Sequence, residues 1–168
     1  MKSKFRDKLT EKYGRHLFDI AEITIKSSDH RILEEMQKEN HLCSEYMKLR
    51  AGAKIYFEGE ERNLQDMEPF MESTDRETRN NAFHAYWKFY SDNAEEFNNI
   101  FDKLVKLRNE MGLKMGYKNF IELGYSRMQR IDYTEEMVDK FRENIKKYIV
   151  PISMKLRERQ RKRLVPLS

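Results

Sequence analysis

The side chains of this sequence that are best suited to bind a ligand are crowded between positions 116 and 133. The segment holds two glycines, three tyrosines and two arginines, namely Gly116, Tyr117, Gly124, Tyr125, Arg127, Arg130 and Tyr133. Arginine presents a rigid fork of donors that fits a carboxylate or a peptide carbonyl, and a tyrosine hydroxyl donates one further hydrogen bond. The segment is therefore rich in groups that can bind a ligand and poor in groups that can catalyse a reaction.

The histidines of the chain are not spaced as metal ligands. They are His16, His30, His41 and His84. No two stand four residues apart, so no helical turn presents a pair to zinc, and none has a glutamate three residues before it. His41 and Cys43 come closest to a ligand pair, but no further ligands accompany them, and we interpret them as structural. We predict no metal site in this chain.

The acidic residues do not indicate a catalytic pair either. Adjacent glutamates occur at 34–35, 60–61, 95–96 and 135–136. Neighbouring residues on a helix point about 100° apart, whereas acid–base catalysis needs two carboxyl groups that converge on one substrate. The sequence also contains no glycine-rich phosphate loop and no nucleophile motif. We therefore predict no catalytic residue in the chain.

Basic residues are concentrated near the C-terminal end. Residues 155–163 hold six lysines and arginines and only one acid, Glu158, although the whole chain carries a net charge of only +4. On a helix this stripe could contact phosphates, but no aromatic residues are interleaved with it and no nucleic-acid-binding motif accompanies it. We interpret it as a solvated or protein-facing helix, so nucleic acid is not the expected partner.

The composition indicates a folded protein of one domain, without disulfides or membrane-spanning segments. At 168 residues, one domain is the default. Charged residues make up 37% of the chain, but 20 aromatic residues and 10 methionines argue against a disordered protein. A single cysteine, Cys43, allows no internal disulfide. No apolar run approaches the length needed to cross a membrane, and the first residues do not resemble a signal peptide, so we expect a cytoplasmic protein without membrane contact.

Apolar residues at helical spacing predict an all-α fold, a multi-helix array with one long central helix. The central pattern starts at a capping box, Thr74-x-x-Glu77, and continues to Gly116. A break near residues 91–93 is consistent with their short polar side chains, which compete for backbone hydrogen bonds. Three adjacent β-formers followed by Gly59 predict at most one short hairpin, near residues 53–62.

The two ends of the chain are also predicted to be helical. A first helix is expected from Phe5 to about Ser27, and a serine or aspartate at 27–29 can cap the next one. At the other end, Thr134 can cap a last helix. Pro151 falls inside the pattern of this helix and should kink or divide it.

Several stretches resemble one known family. They include Gly-Tyr-Lys-Asn-Phe at 116–120 and Gly-Tyr-Ser-Arg-Met at 124–128. Further matching stretches lie at 13–22, 57–64, 75–79, 104–108, 130, 132–133 and 150–151. Matches in this order along nearly the whole chain resemble the oligoendopeptidase F family of zinc metallopeptidases. The resemblance covers the part of such enzymes that precedes the zinc-binding helix.

The resemblance implies a helical shell around a deep channel, with zinc at its base and short peptides as substrates. The family's zinc motif, His-Glu-x-x-His, does not occur in the 168 residues. We therefore expect residues 1–168 to be a single helical segment of a larger peptidase, inactive alone and without a cofactor of its own. Its expected partners are the catalytic part of the enzyme and, through exposed aromatic surface, further copies of itself. The alternative is a freestanding helical interaction module derived from that shell.

The resemblance also implies a place for the ligand-binding segment. Tyr125, Arg127, Arg130 and Tyr133 are the candidates for facing the substrate channel. A purely structural role stays open, because an ion pair from Arg130 to Asp132 or Glu122 could instead lock a turn between two helices.

Overall fold

A computed structural model describes residues 4–164 and divides the chain into two compact units. One unit is residues 24–124, and the other is formed by the chain on either side of it. The helices are α1 (Arg6–Tyr13), α2 (Arg15–Ser27), α3 (Leu33–Ala51), α4 (Glu68–Met71), α5 (Arg76–Asp92), α6 (Ala94–Lys114), α7 (Phe120–Arg127), α8 (Glu135–Asn144) and α9 (Val150–Leu164). Together with one antiparallel hairpin, β1 (Ile55–Phe57) and β2 (Glu60–Arg62), they confirm the predicted fold class.

The unit of residues 24–124 has two small hydrophobic cores. In the first, Ile55 of β1 and Met67 pack with Ala82 of α5 inside a shell of partly buried aromatic side chains. In the second, Ile32, Met111 and Leu123 are buried together. These two cores fix α3, α5, α6 and the start of α7 within one unit.

Two ion pairs join buried carboxylates of α3 to α6. The Arg108 Nε lies 2.7 Å from Glu39 Oε1, and the Lys114 Nζ lies 2.6 Å from Glu35 Oε1. The hydrogen bond from Lys114 lowers the pKa of Glu35 below its usual value, although burial of the carboxylate acts in the opposite direction. Removing one partner of such a pair leaves an uncompensated buried charge, so these contacts fix how α3 and α6 face each other.

The hairpin closes through the shortest turn that two antiparallel strands can use. Phe57 pairs with Glu60, so only Glu58 and Gly59 form the loop. Both have positive φ angles, 51° and 82°, as a type I′ turn requires. Gly59 adopts this conformation without steric cost, whereas Glu58 is a non-glycine residue in the left-handed region.

The central helical pattern is divided at Asn93. The N–H and the side-chain amide of Asn93 both donate to the Phe89 carbonyl, at 3.2 and 2.7 Å. The Asn93 side chain thus competes for a backbone hydrogen-bond acceptor, as the sequence predicted for residues 91–93. The predicted capping box at Thr74 is wrong by one residue, because Asp75 is the N-cap and accepts from the Thr78 N–H at 2.7 Å. A carboxylate is at least as good a cap as a hydroxyl.

The first predicted helix is also divided. The sequence predicted one helix from Phe5 to about Ser27, but α1 ends at Tyr13 and α2 begins at Arg15. Gly14 separates them with φ 82° and ψ 160°, a conformation that is essentially restricted to glycine. Asp29 caps the turn before α3 by accepting from the Arg31 N–H at 2.9 Å, which confirms the predicted cap.

The last helical stretch contains a wide turn. Thr134 accepts from the Met137 N–H and begins α8, as predicted. Between α8 and α9, residues Ile145–Ile149 form a π-helical turn, in which the Val150 N–H reaches back five residues to the Ile145 carbonyl. Pro151 explains this turn, because it has no N–H to donate and its ring would clash with the carbonyl four residues earlier. The kink or division predicted at Pro151 therefore takes the form of a π turn between α8 and α9.

Candidate functional site

The segment of residues 116–133, which the sequence singled out as a candidate for binding, starts just after the end of α6. Gly112 is buried, and a Cβ atom placed on it would lie only 2.4 Å from the carbonyl oxygen of Asn119. The chain folds back tightly here, since the Tyr117 N–H donates to the Gly112 carbonyl at 3.0 Å and Gly116 has a φ of 86°. Two glycines therefore allow α7 to start directly against the end of α6.

The other end of α7 is closed by a Schellman motif. The Arg130 N–H donates to the Tyr125 carbonyl at 3.0 Å, and the Gln129 N–H donates to the Ser126 carbonyl at 3.0 Å. Gln129 occupies the left-handed position of this motif with a φ of 55°, where glycine is the usual residue. The motif reverses the chain and returns Arg130 to the last turn of α7.

This reversal places Arg130 against two of the predicted tyrosines. Its guanidinium carbon lies 5.3 Å from the centre of the Tyr125 ring and 5.6 Å from that of Tyr133. The two rings meet edge to face, with centres 6.3 Å apart and planes at 73°. A guanidinium on an aromatic face is attracted by the ring quadrupole, so the tyrosines hold Arg130 in one orientation.

Three of the four candidate residues thus form one cluster. Arg127 is the last residue of α7 and is partly buried. Within residues 4–164, no ion pair joins Arg130 to Asp132 or Glu122. The ion pair that was considered as a lock for this turn is therefore not formed. Arg130 instead packs on aromatic rings and keeps a positive charge that no carboxylate of the described chain neutralises.

The described part of the chain offers no metal centre. Across residues 4–164, no three histidine, cysteine, aspartate or glutamate side chains come close enough to hold an ion. His41 lies 3.1 Å from Glu45 through its Nε2 atom, and Cys43 is a half-buried free thiol.

One polar cluster was not predicted from the sequence. Arg50 lies in the last turn of α3, with its guanidinium 5.8 Å from the centre of the Tyr46 ring. A hydrogen bond with the Tyr90 side chain is the main cause that raises the pKa of Arg50. Tyr46 and Arg50 are spaced four apart, which is the one signal that the sequence offered. Tyr90 belongs to α5 and could not be connected to them by any local pattern.

None of the helices described between residues 4 and 164 combines the length and the apolar character that crossing a membrane requires.

Comparisons with known proteins agree along almost the whole chain. A family model described as peptidase family M3 matches residues 69–165. A solved oligoendopeptidase F is 47% identical, with a TM-score of 0.90 over 97% of this chain and 29% of its own. PZ peptidase A, solved with an inhibitor, is 51% identical, with the same TM-score and the same coverage of both chains.

A third solved structure, an oligoendopeptidase F from Bacillus anthracis str. Ames, is 44% identical, with a TM-score of 0.88 over 96% of this chain and 30% of its own. No curated protein sequence matches the chain significantly. This chain spans just under a third of the length of the three solved structures. Because the family model matches more than half of the chain and nearly all of it superposes on these relatives, the chain belongs to peptidase family M3.

Proposed function

We propose that this chain forms part of the helical shell of an oligopeptidase that hydrolyses short peptides with zinc, and that it is inactive alone. The observation that carries the proposal is the agreement of 96–97% of the chain with under a third of solved enzymes at 44–51% identity. A contiguous segment this similar takes the same fold, and the chemistry then depends on residues outside it.

Zinc is implied by the family, but the residues of this chain do not fit it. The 168 residues contain no His-Glu-x-x-His motif, and the part between residues 4 and 164 holds no group of three ligating side chains. A catalytic zinc needs three protein ligands and one open position. We therefore derive no catalytic step from this chain.

The chain's own contribution is proposed to be substrate contact through Tyr125, Arg127, Arg130 and Tyr133. Arg130 supports this role because its charge has no carboxylate partner among residues 4–164, while two tyrosine rings fix its direction. A pre-oriented guanidinium loses little entropy when it donates to a peptide carbonyl or to a terminal carboxylate. The tyrosine hydroxyls could supply further donors.

A chimera tests the proposal. Residues 4–164 would replace the matching segment of PZ peptidase A, and zinc-dependent cleavage of a short fluorescent peptide would be measured for the chimera and for this chain alone. We expect a chelator-sensitive activity only in the chimera. Chelator-sensitive cleavage by the isolated chain would contradict the proposal, and so would a folded, zinc-loaded chimera without activity.

Substitution of Arg130 in the chimera tests the substrate contact. Hydrogen bonds to charged groups contribute about 1.5–3 kcal/mol, so Arg130→Gln should raise KM roughly tenfold or more with little effect on kcat. Arg142→Gln is the matched control, because it removes the same charge from an exposed arginine that pairs with Asp139. Equal KM values for the two variants would show that Arg130 only supports the turn.

The freestanding interaction module is the second candidate, and exposed apolar side chains on α8 and α9 favour it. Phe141, Ile152 and Leu156 are 63%, 56% and 54% exposed. The coding DNA beyond Ser168 separates the two candidates. A continuing frame with His-Glu-x-x-His supports the peptidase, whereas a stop codon there with no catalytic partner supports the module.

A further inference from the structure

A small cleft lies at the end of α3, in the unit of residues 24–124. Its volume is about 280 Å³, and it is lined by Met47, Arg50, Ala51, Asn63, Leu64 and Gln65. Met47, Ala51 and Leu64 provide an apolar wall, and the other three side chains are polar. None of the lining side chains in the described structure is acidic.

Arg50 is the charged group of this cleft. Its Nε atom is buried and has no hydrogen-bond acceptor, and no ion pair joins Arg50 to any carboxylate among residues 4–164. A buried donor without an acceptor has lost its hydration without compensation, so such groups call for an explanation. The guanidinium lies against the Tyr46 ring, and a hydrogen bond with the Tyr90 side chain is the main cause that raises the pKa of Arg50, so Arg50 stays cationic.

Asn63 adds a second donor. Its Oδ1 atom accepts from the Gln65 N–H at 2.8 Å and from the Asp66 N–H at 3.0 Å, which fixes the orientation of the amide. The Nδ2 group of Asn63 therefore remains a donor, and no hydrogen-bond acceptor within residues 4–164 contacts it. With the amide of Gln65, the cleft gathers several donors around a fixed positive charge.

We propose that this cleft binds a carboxylate, with the Arg50 guanidinium and the Asn63 amide as donors and the aliphatic part of the ligand against Met47 and Leu64. A guanidinium fork matches the two oxygens of a carboxylate, and the apolar wall favours an aliphatic acid over an inorganic anion. The carboxylate could belong to a free aliphatic acid or to the C-terminus of a peptide. The inference is independent of the proposed peptidase function, because all its residues lie in one unit of this chain.

Titration of the 168-residue chain with isovalerate, at constant ionic strength balanced by chloride, tests the proposal. The side-chain Nε–H resonances of arginine would be followed by NMR, and we expect a saturable shift of the Arg50 signal. A second arm compares the peptide Ala-Ala-Leu with its C-terminal amide. Binding of the acid at least tenfold tighter than isovalerate would identify a peptide terminus, and similar affinities would identify a free acid.

Three variants make the test specific. Arg50→Gln should abolish saturable binding, and Gln65→Glu should weaken it at least tenfold by placing a negative charge in the cleft without touching Arg50. Lys48→Gln is the matched control, because it removes one positive charge from the same helical turn but does not line the cleft. A shift that is linear in concentration, equal binding of the amide, or unchanged binding in the folded Gln65→Glu variant would overturn the proposal.

Discussion

Gly112 shows how a residue without a side chain positions the candidate segment of residues 116–133. The Asn119 carbonyl approaches so closely that a methyl group at position 112 would lie 2.4 Å from its oxygen. We predict that Gly112→Ala lowers the free energy of unfolding by about 1–3 kcal/mol, the usual cost of overpacking, because backbone atoms cannot rotate away. Denaturant unfolding followed by circular dichroism would measure the loss.

Gly124→Ala is the matched control for this substitution. A Cβ atom at position 124 would meet only the ring of Phe120, at 3.2 Å, and a side chain can shift by a few tenths of an ångström. Both glycines are buried and helical, so the two variants share the same change in helix propensity. If Gly124→Ala cost as much as Gly112→Ala, the close backbone approach would not explain the effect.

Asp29 should give the unfolding free energy a specific dependence on acid pH. Hydrogen bonds from the Arg31 side chain and from the Arg31 N–H lower the pKa of Asp29 from 3.8 to about 2. Because the pKa is lower in the folded state, the charged carboxylate stabilises the protein above pH 3.8, and this contribution disappears as the pH falls towards 2.

Asp29→Asn isolates this contribution, because asparagine can still cap the turn through its carbonyl oxygen. We predict that the variant is less stable than the natural chain at pH 7 and that the difference narrows as the pH falls below 3.8. Urea unfolding at a series of pH values would measure it. A difference that is the same at pH 7 and near pH 2 would contradict the assignment.

The site residues were only partly predictable from the sequence. Tyr125, Arg130 and Tyr133 could be singled out because they lie within nine residues and are brought together by one local turn. The packing of Arg130 on the two tyrosine rings could not be predicted. It depends on the chain reversal after α7, in which Gln129 adopts a left-handed conformation that glycine usually takes. Arg50 was missed because only Tyr46 lies on its own helix, whereas Tyr90 comes from α5 and is distant in sequence.

Among the elements, the hairpin carries a residue that does not suit its turn. Glu58 holds the first position of a type I′ turn with a φ of 51°, where asparagine is preferred. We predict that Glu58→Asn raises the free energy of unfolding by about 0.5–1 kcal/mol, because the strain of a left-handed residue is relieved. Thermal or denaturant unfolding would measure the gain.

Glu61→Asn provides the comparison. It makes the same chemical change three residues later, in β2, where asparagine is unfavourable and where Glu61 pairs with Lys54 at 3.0 Å. A small loss of stability is expected there, on the order of a few tenths of a kcal/mol. Gains of equal size in both variants would indicate a general effect of removing negative charge.

Helix and strand boundaries were predicted well where a single residue type determines a turn or a cap. The hairpin near 53–62, the cap at Thr134 and the break before Ala94 all follow from turn and capping chemistry. Two details failed for a related reason. Gly14 ends a helix inside an unbroken apolar pattern, and Asp75 competes with Thr74 for the same capping role. Periodicity locates a helix more reliably than it locates its ends.

At the scale of the whole molecule, exposed apolar side chains should drive self-association. Ile152 of α9 is 56% exposed, Met154 is 65% exposed and Leu156 is 54% exposed. We predict that the isolated chain binds an apolar dye and that its mass in sedimentation equilibrium rises with concentration. Ile152→Glu should weaken this association about tenfold, since it removes buried apolar area and adds a charge at the contact.

Gln160→Glu is the control, because it adds the same charge to an exposed polar position of α9. If both variants associated as the natural chain does, the surface around Ile152 would not be the contact. A constant monomer mass without dye binding would contradict the prediction for the whole chain.

The π turn at Ile145–Ile149 also has a consequence for how the length of this chain can vary. A π turn holds one residue more than an α-helical turn. The side chains that follow it therefore point about 100° away from where they would point if the same sequence formed a regular α-helix. Deleting one residue there and replacing Pro151 would restore a regular helix, while Leu156 would keep the direction it has now. We therefore expect that relatives can gain or lose one residue at this point without repacking α9, which would appear as single-residue gaps in an alignment.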